Sequence, residues 1–234
     1  MALRRFKHAF QPIVNSNLLF VWGYEALVRG EHGEPAYDVL STIKAAELAG
    51  FNRQSRQLAM NRFALMAGQG FLSLNSSALC LGTDDNVKKL FELADSISFD
   101  RSRLIFEVCE TDAIEGAIGL DDAIAEIRAS GAQLAMDDFG SGYAGLNALV
   151  AMNPDILKLD RYLINEIHRS GPRQSVVKAT LQIANDLGMD VIAEGVETLD
   201  EYHWLTDVGI ELFQGFLFAR PEFMTLPKAT FPHP

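Results

Sequence analysis

The sequence predicts an α/β fold, a closed (β/α)8 TIM-like barrel with an antiparallel first strand. Three observations lead to this fold class. Short apolar runs alternate with amphipathic stretches along the 234 residues, which is typical of parallel βαβ units. Eight such runs occur, the number of strands that closes a barrel of this kind. The first two runs are joined only by Asn15-Ser16-Asn17, a hairpin turn that makes them antiparallel.

Each strand is predicted from an apolar run that turn-forming or charged residues bound. The predicted strands are Phe6–Val14, Leu18–Val28, Gly70–Asn75, Arg103–Cys109, Ala132–Asp137, Asp155–Asp160, Met189–Glu194 and Ile210–Gln214. An open doubly wound sheet is the alternative fold. The glycine-rich phosphate loop that follows the first strand of such sheets is missing: G-x-x-x-x-G-K does not occur, and the G-x-G-x-x-G spacing occurs only at residues 140–145, after the predicted fifth strand. The closed barrel is therefore the preferred fold class.

Amphipathic stretches predict helices between most of the strands. They cover residues 37–49, 54–67, 84–95, 119–130, 173–187 and 199–208. Gly188 and Gly209 follow the last two stretches, and glycine is favoured directly after a helix because it adopts positive φ at no steric cost. No linker or low-complexity segment interrupts the pattern, so residues 1–234 are predicted to form one domain.

Composition and charge exclude several functional classes. The net charge of −11 argues against binding to a DNA or RNA polymer. No apolar run reaches about 18 residues, and no signal-peptide pattern follows the basic start, so we expect neither a membrane span nor secretion. Two isolated cysteines, Cys80 and Cys109, indicate a reducing compartment. The five histidines lack the spacing of a zinc site. These features predict a cytoplasmic protein.

The most informative motif is Asp-Asp-Phe-Gly-Ser-Gly at residues 137–142, which ends the predicted fifth strand. Adjacent carboxylates repel each other and are costly to desolvate unless a cation lies between them. Hard divalent cations prefer such oxygen ligands. An ordinary solvated turn explains the motif equally well on its own, because Asp and Gly are common in turns.

Polar residues also lie at or near the carboxyl ends of most of the other predicted strands. They are Glu25, Asn75, Glu107, Asp137, Asp138, Lys158, Asp160, Glu194 and Gln214. The carboxyl ends of barrel strands meet at one mouth, where active sites lie, so we expect these side chains to converge. Each residue alone has an ordinary structural explanation, as a turn, core or surface residue. Lys158 and Asp160 alternate with Leu157 and Leu159, which places them on one side of the sixth strand.

This set of side chains predicts a metal centre. Several carboxylates with amide oxygens suit Mg²⁺ or Mn²⁺. Two such ions bridged by one acid activate a water for in-line displacement at phosphorus. Asp137 is the expected bridging ligand, because Asp138 beside it can reach the second ion. Lys158 is expected to orient the water or to offset charge on the phosphate.

Seven short motifs, in order along nearly the whole chain, resemble the EAL-domain family of cyclic di-GMP phosphodiesterases. Each motif alone has low specificity, whereas all seven in order are highly specific. They lie at residues 11–14 (Gln-Pro-Ile-Val), 24–29 (Tyr-Glu-Ala-Leu-Val-Arg), 74–75 (Leu-Asn), 106–111 (Phe-Glu-Val-Cys-Glu-Thr), 137–143 (Asp-Asp-Phe-Gly-Ser-Gly-Tyr), 158–160 with 193–198 (Lys-Leu-Asp and Ala-Glu-Gly-Val-Glu-Thr), and 214–216 (Gln-Gly-Phe).

The resemblance implies hydrolysis of cyclic di-GMP to linear pGpG. It implies that Glu25, Asn75, Glu107 and Asp137 bind a first metal ion, and that Asp137, Asp138 and Glu194 bind a second. Asp160 would lie nearby, and Lys158 would act on the attacking water. The substrate would be contacted by Arg29, whose guanidinium pairs well with phosphate, and by Gln11 and Gln214. Glu110, Glu197 and Ser141 would support the site and its loops.

The amino-acid sequence at residues 25–30, 145–147 and 217–221 is most similar to that of EAL domains linked to BLUF photoreceptors. Some members of that subgroup have lost activity and act by binding other proteins. Departures from the usual family pattern include Gly30, Ser55 or Arg56, Cys109 and Ser141, none of which removes an expected metal ligand. The retained ligands favour an active enzyme, and a silent cyclic di-GMP receptor or protein-interaction module is the main alternative function. A barrel enzyme with one Mg²⁺ acting on an enolate is a third.

The resemblance also concerns assembly. The loop from Phe139 to Leu146 follows two expected metal ligands and contains Tyr143 and Leu146. In the family this loop connects the metal site to a dimer interface, so a homodimer is expected, with a further protein partner possible. The alternative is a monomer in which the loop is a mobile lid over the substrate.

Overall fold

The computed structural model describes residues 6–82, 86–112, 119–142 and 145–232. Eight strands close into a barrel and a ninth pairs with the first from outside, which confirms the predicted fold class. The strands are β1 (Phe6–Asn15), β2 (Phe20–Gly30), β3 (Phe71–Asn75), β4 (Leu104–Cys109), β5 (Gln133–Phe139), β6 (Ile156–Leu159), β7 (Asp190–Ala193), β8 (Leu212–Phe213) and β9 (Glu222–Phe223).

The helices lie between the strands. They are α1 (Ala36–Leu40), α2 (Leu48–Leu65), α3 (Ala78–Leu81), α4 (Asn86–Ser96), α5 (Leu120–Ala129), α6 (Gly145–Met152), α7 (Arg161–Ile164), α8 (Gly171–Leu187) and α9 (Leu199–Asp207). Within the described ranges, no helix is both long and apolar enough to cross a lipid bilayer.

The first strand closes the barrel in the antiparallel sense. It pairs antiparallel with β2, where Gln11 lies opposite Glu25, and antiparallel with β8, where Val14 lies opposite Phe213. All other neighbouring pairs of the barrel are parallel. The antiparallel first strand is thus confirmed, because the short turn after Asn15 leaves no room for the helical crossover that a parallel pair needs.

Side chains alternate between the barrel interior and the helical layer. An apolar cluster fills the lower interior with Ile13, Ile105, Ala135, Ile156, Ile192 and Leu212. Neighbouring strand residues such as Phe106, Leu157 and Phe213 belong instead to the larger core between barrel and helices. Two positions beyond the interior isoleucines lie Glu107 on β4, Lys158 on β6 and Glu194 directly after β7. The period of two therefore stacks a polar layer above an apolar one.

Several predicted boundaries were wrong. The stretch 37–49 is mostly short α1 and a connection, and α2 begins at Leu48 rather than near residue 54. The sequence analysis did not predict α6, since Gly145 and Asn147 are poor helix formers and the segment is short and apolar. Strand β5 continues past Asp137 to Phe139. These differences arise where packing, rather than local pattern, selects the conformation.

Candidate functional site

The predicted acids converge on the ammonium group of Lys158, which is fully buried. Lys158 Nζ lies 2.6 Å from Glu194 Oε1, 2.7 Å from Glu107 Oε1, 2.9 Å from Asp137 Oδ1 and 3.7 Å from Glu25 Oε2. These acids come from β2, β4, β5 and the residue after β7, which meet because the strands form one closed barrel. One lysine therefore faces four carboxylates in a small, buried volume.

The charges in this layer do not balance. Burial raises the pKa of Glu107 and of Glu194 well above its usual value, and Lys158 only partly opposes this effect. Burial disfavours the charged form of Lys158, but the acids around it outweigh burial and raise its pKa well above the usual value. Apart from their ion pairs with Lys158, both carboxylate oxygens of Glu107 and Oδ1 of Asp137 have no hydrogen-bond partner among the described residues. The donor set therefore fits additional cations with oxygen preference.

A β-bulge turns the second aspartate toward the first. Asp138 has φ of 57°, in the left-handed region, and the register of β5 against β6 shifts between Met136 and Phe139. Consecutive residues of a regular strand point to opposite faces, whereas a bulged residue can share the face of its neighbour. Burial, with the charges of Asp137 and Asp160, raises the pKa of Asp138. The bulge explains how adjacent acids reach one site.

Carboxylate oxygens of Asp137, Asp138 and Glu194 lie within 4.8 Å of one another. This is the set predicted for the second metal ion, and its spacing suits a divalent cation with oxygen ligands. The acids predicted for the first ion, Glu25 and Glu107, instead contact Lys158. The structure thus brings both sets to one place, with the lysine between their charges.

Amide side chains hold Glu25 from two directions. Asn75 Nδ2 donates to Glu25 Oε1 at 2.8 Å, and Gln214 Nε2 donates to Glu25 Oε2 at 2.7 Å. Gln214 Nε2 also donates to Gln11 Oε1 at 3.2 Å, while Gln11 Nε2 donates to the carbonyl oxygen of Ala219. The sequence pattern grouped Glu25 with the residues that end the strands, but Glu25 does not end its strand in the structure. It lies in the middle of β2, which continues to Gly30 because β1 pairs with it along its whole length.

A cavity of about 250 Å³ opens beside this layer. Its lining includes Gln11, Glu25, Asp160, Arg161, Glu194, Glu197, Gln214 and Phe216. A larger cavity of about 550 Å³ lies at the opposite end of the barrel, near Asn15 and Trp22, and the acidic layer does not line it. The converging charges, rather than the cavity volume, therefore identify the candidate site.

Two predicted residues lie at the rim of the cavity. Asp160 caps the N-terminus of α7, where its Oδ1 accepts a hydrogen bond from the Tyr162 N–H at 2.8 Å. Glu197 Oε2 lies 3.0 Å from Arg161 Nη2. Both residues line the cavity without contacting Lys158.

The other predicted residues have different surroundings. Arg29 lies four positions after Glu25 on β2, and its Nη1 donates to the carbonyl oxygen of Val28 at 2.7 Å. Burial lowers the pKa of Arg29, and the charge of Glu25 opposes this effect. Arg29 is not among the residues that line the cavity. Ser141 is exposed in the turn after Asp138, where its backbone N–H donates to the Asp138 carbonyl oxygen.

Glu110 lies beneath the loop that follows the two aspartates. It is 1% exposed, and its Oε2 accepts a hydrogen bond from the Gly140 N–H at 2.8 Å. A Cβ atom at Gly142 would lie 2.7 Å from Glu110 Oε1, so a side chain there would collide with the carboxylate. The predicted loop residue Tyr143 lies outside the described residues. Glu110 therefore contacts the described part of the loop directly.

Three residues at the site were not predicted from the sequence. Arg161 pairs with Glu197 and its Nη1 donates to the carbonyl oxygen of Gly195. Phe216 lines the cavity, and the Arg220 guanidinium lies 4.1 Å from its ring centre. Glu201 accepts hydrogen bonds from three backbone N–H groups, those of Glu166, Glu197 and Thr198.

A detectable signal existed for one of these residues. Thr198-x-x-Glu201 matches the capping-box pattern of a helix start. The backbone hydrogen bonds to Glu201 outweigh the effect of its burial and lower its pKa. Arg161 directly follows a recognised motif and Phe216 ends another, but their positions alone indicate no role.

The protein-family model of the EAL domain matches residues 1–221 of the chain. The Escherichia coli K12 protein described as the blue light- and temperature-regulated antirepressor BluF is 32% identical over 226 residues, which are 96% of this chain and 56% of BluF. The cyclic di-GMP phosphodiesterase PdeR, also from Escherichia coli K12, is 35% identical over 150 residues, 64% of this chain and 23% of PdeR.

Among solved structures, the manganese and cyclic di-GMP complex of Klebsiella pneumoniae BlrP1 at pH 9.0 superposes with a TM-score of 0.92. It is 33% identical, and the match covers 99% of this chain and 59% of the BlrP1 chain. The chain thus spans little more than half of BluF and BlrP1. Activities of those whole proteins do not transfer to it as findings.

Proposed function

The chain belongs to the EAL domain family, and from this premise we propose that it hydrolyses cyclic di-GMP to linear pGpG with bound Mg²⁺ or Mn²⁺. The observation that carries the proposal is the buried layer in which four carboxylates share one lysine. The relative PdeR is named as a cyclic di-GMP phosphodiesterase, and BlrP1 binds manganese and cyclic di-GMP. One domain over residues 1–234 and a cytoplasmic location stay predictions.

The residues that would hold metal follow from the donor set. Glu25, Asn75, Glu107 and Asp137 would bind one ion, and Asp137, Asp138 and Glu194 the other. The bound ions would supply Lewis-acid stabilisation and a water of lowered pKa. Their positive charge would offset the negative layer that Lys158 alone leaves uncompensated.

The chain's own groups would then position the reaction. Lys158 donates a hydrogen bond to the attacking water, with Glu194 and Asp160 beside it. The water loses a proton as its oxygen forms a bond to phosphorus, the bond between phosphorus and the ribose 3′ oxygen breaks, and the leaving oxygen takes up a proton. Arg29, Gln11 and Gln214 would contact the substrate, and Arg29 would pair with a phosphate. Glu110, Glu197 and Ser141 would hold the loops in place.

Metal removal tests the proposal directly. Hydrolysis of cyclic di-GMP to pGpG should vanish in EDTA and return with Mg²⁺ or Mn²⁺. Ca²⁺ should support hydrolysis poorly, because its longer bonds and looser geometry would spread the two sites. Chromatography of the nucleotide products measures the reaction. Full activity of metal-free protein would contradict the mechanism.

A second function is favoured by one observation. BluF, the relative matched over 96% of the chain, is named as an antirepressor rather than a phosphodiesterase. A catalytically silent receptor or protein-interaction module on this fold would bind cyclic di-GMP, or a protein partner, without producing pGpG. Calorimetric binding of cyclic di-GMP in Ca²⁺, measured beside product formation in Mn²⁺, separates the two functions.

We propose that the protein forms a homodimer, and an apolar groove beside the loop above Glu110 supports this proposal. The groove encloses about 540 Å³ and is lined by residues that include Phe139, Leu146, Val176 and Ile183. The side chains of Leu146 and Val176 in this lining are exposed. Exposed apolar surface of this kind commonly lies at interfaces between proteins. The groove touches Glu110, so dimer contacts and the acidic site would be coupled through one loop.

Substitution at the groove tests this coupling. Val176→Glu is expected to convert the dimer to a monomer and to lower the specific activity, because it adds a charge to apolar groove surface that a dimer would bury. Leu65→Glu is the matched control, since Leu65 is 81% exposed on α2, away from the groove. Light scattering at several concentrations, with activity from the same samples, measures both properties.

A substitution beneath the loop provides a second test of this coupling. Glu110→Ala removes the acceptor for the Gly140 N–H and is expected to lower activity while the fold persists. A wild-type protein that is monomeric and fully active at every dilution would contradict the coupling.

A further inference from the structure

A buried glutamate outside the acidic layer joins two loops at the barrel mouth. Glu201 lies in the first turn of α9 and is 1% exposed. Its Oε1 accepts a hydrogen bond from the Glu166 N–H at 2.9 Å. Its Oε2 accepts hydrogen bonds from the N–H of Glu197 at 3.0 Å and from the N–H of Thr198 at 3.1 Å. Each carboxylate oxygen therefore binds a different loop.

The two loops follow neighbouring strands that carry residues of the candidate site. The β6 connection, residues 160–170, follows the strand that contains Lys158. The β7 loop, residues 194–198, begins with Glu194, which contacts Lys158 and belongs to the predicted second metal site. Only two residues separate Glu194 from Glu197, so a displacement at Glu197 is passed along the backbone to the expected ligand. The contacts of Glu201 thus fix the loop that presents Glu194.

The anchor of this contact on the β6 connection has a strained backbone. Glu166 has φ of 53°, in the left-handed region that side chains rarely adopt. Such a conformation persists only where surrounding contacts hold it, and the hydrogen bond from its N–H to Glu201 is one of them. A carboxylate that accepts several backbone N–H groups forms strong, charge-assisted hydrogen bonds. The strain at Glu166 is therefore a sign that Glu201 holds this segment firmly.

A second link between the two loops lies nearer the solvent. Arg161 Nη2 is 3.0 Å from Glu197 Oε2, and both side chains are more than one third exposed. Solvent weakens ion pairs of this kind. The buried carboxylate of Glu201 is the link that solvent does not weaken.

We propose that Glu201 is a positioning residue, which holds Glu194 in place by fastening the β7 loop to the β6 connection. Glu201 is not among the residues that line the cavity, so it acts through Glu194 rather than on the substrate. The inference rests on the proposed function in one respect, that Glu194 binds a metal ion. Groups that orient metal ligands in this way commonly change metal affinity or activity by about tenfold or more when they are removed.

Residue-resolved amide exchange, followed by NMR on the metal-free chain, tests the contacts. Glu201→Ala removes the acceptor of three backbone N–H groups, so those three amides should exchange at least about tenfold faster. Asp155→Ala is the matched control, because Asp155 Oδ2 accepts a hydrogen bond from the Leu134 N–H at 2.9 Å at the opposite end of the barrel. It should leave the three amides within about twofold of the wild type. Unchanged exchange in folded Glu201→Ala would overturn the proposal.

Mn²⁺ separates positioning from a purely structural role. In the wild type, Mn²⁺ should slow exchange at the Glu166 amide, because Glu201 carries the ordering of Glu194 to the β6 connection. Glu201→Gln keeps only one acceptor oxygen and can hold one loop but not both. It should keep the fold, lose this effect of Mn²⁺ on Glu166, and bind Mn²⁺ about tenfold more weakly in calorimetry. If Glu201→Ala does not fold, Glu201→Gln provides the test. Wild-type affinity and an undiminished effect on Glu166 in this variant would refute the positioning role.

Hydrolysis gives a separate measurement. Glu201→Gln should lower kcat for cyclic di-GMP by about tenfold and leave KM within about twofold, because the residue does not line the cavity. A loss confined to KM would contradict the role of Glu201. A wild-type chain that produces no pGpG would refute the proposed function, whereas amide exchange in the metal-free protein would still decide whether Glu201 holds the two loops.

Discussion

Replacement of Lys158 by methionine is expected to destabilise the metal-free protein by about 3–5 kcal/mol and to abolish hydrolysis. The ammonium is fully buried and is the counter-charge that Glu107, Asp137 and Glu194 contact within 2.9 Å. Its loss leaves buried carboxylates that repel one another. Mn²⁺ should restore much of the lost stability, because the cation would replace the missing charge. Urea unfolding with and without Mn²⁺ measures both effects.

The pH dependence of this variant has a definite sign. The carboxyls of Glu107 and Glu194 have raised pKa values in the folded protein, so they bind protons there before they do in the unfolded chain. The stability of metal-free Lys158→Met should therefore rise as the pH falls from about 8 toward about 5. Lys178→Met is the matched control, because Lys178 is exposed on α8, and its stability should change by less than about 0.5 kcal/mol. An unchanged stability of Lys158→Met would show that the lysine does not compensate the acids.

The second large effect is expected at Glu25. Glu25→Ala removes an expected metal ligand and the acceptor that Asn75 and Gln214 share, so kcat should fall by more than about a hundredfold. The fold should persist, since the change removes one of several repelling charges. Product formation gives kcat, calorimetry gives Mn²⁺ affinity, and circular dichroism checks the fold.

Glu222→Ala is the matched control for charge, because Glu222 is an exposed acid on β9 at the outside of the barrel. It should keep normal turnover. If Glu25→Ala turned over cyclic di-GMP within tenfold of the wild-type rate, the assignment of Glu25 as a metal ligand would be wrong.

Much of the architecture could be predicted from residue order alone. The alternation of Leu157, Lys158 and Leu159 assigned Lys158 to the barrel interior, and the short turn after Asn15 made β1 antiparallel. These features depend on periods of two and on the number of residues in a turn, which are local properties of the chain. The meeting of polar residues at one mouth then follows from the closure of parallel strands.

Other features depend on contacts between distant segments. The register shift of β5 against β6 accompanies the left-handed conformation of Asp138, and nothing in the Asp-Asp pair alone requires that conformation. Lys158 was predicted to act on water, yet in the structure it contacts four acids from other strands. The start of α2 and the presence of α6 were likewise set by packing.

By itself, the sequence determined the barrel, its antiparallel first strand and the set of acids at its mouth, because spacing controls which face of a strand each side chain takes. Only the tertiary structure decided which charge meets which. It gave Lys158 its four partners and turned Asp138 toward Asp137. The physical reason is that burial and electrostatic pairing act between atoms that only folding brings together, and residue spacing does not encode those distances.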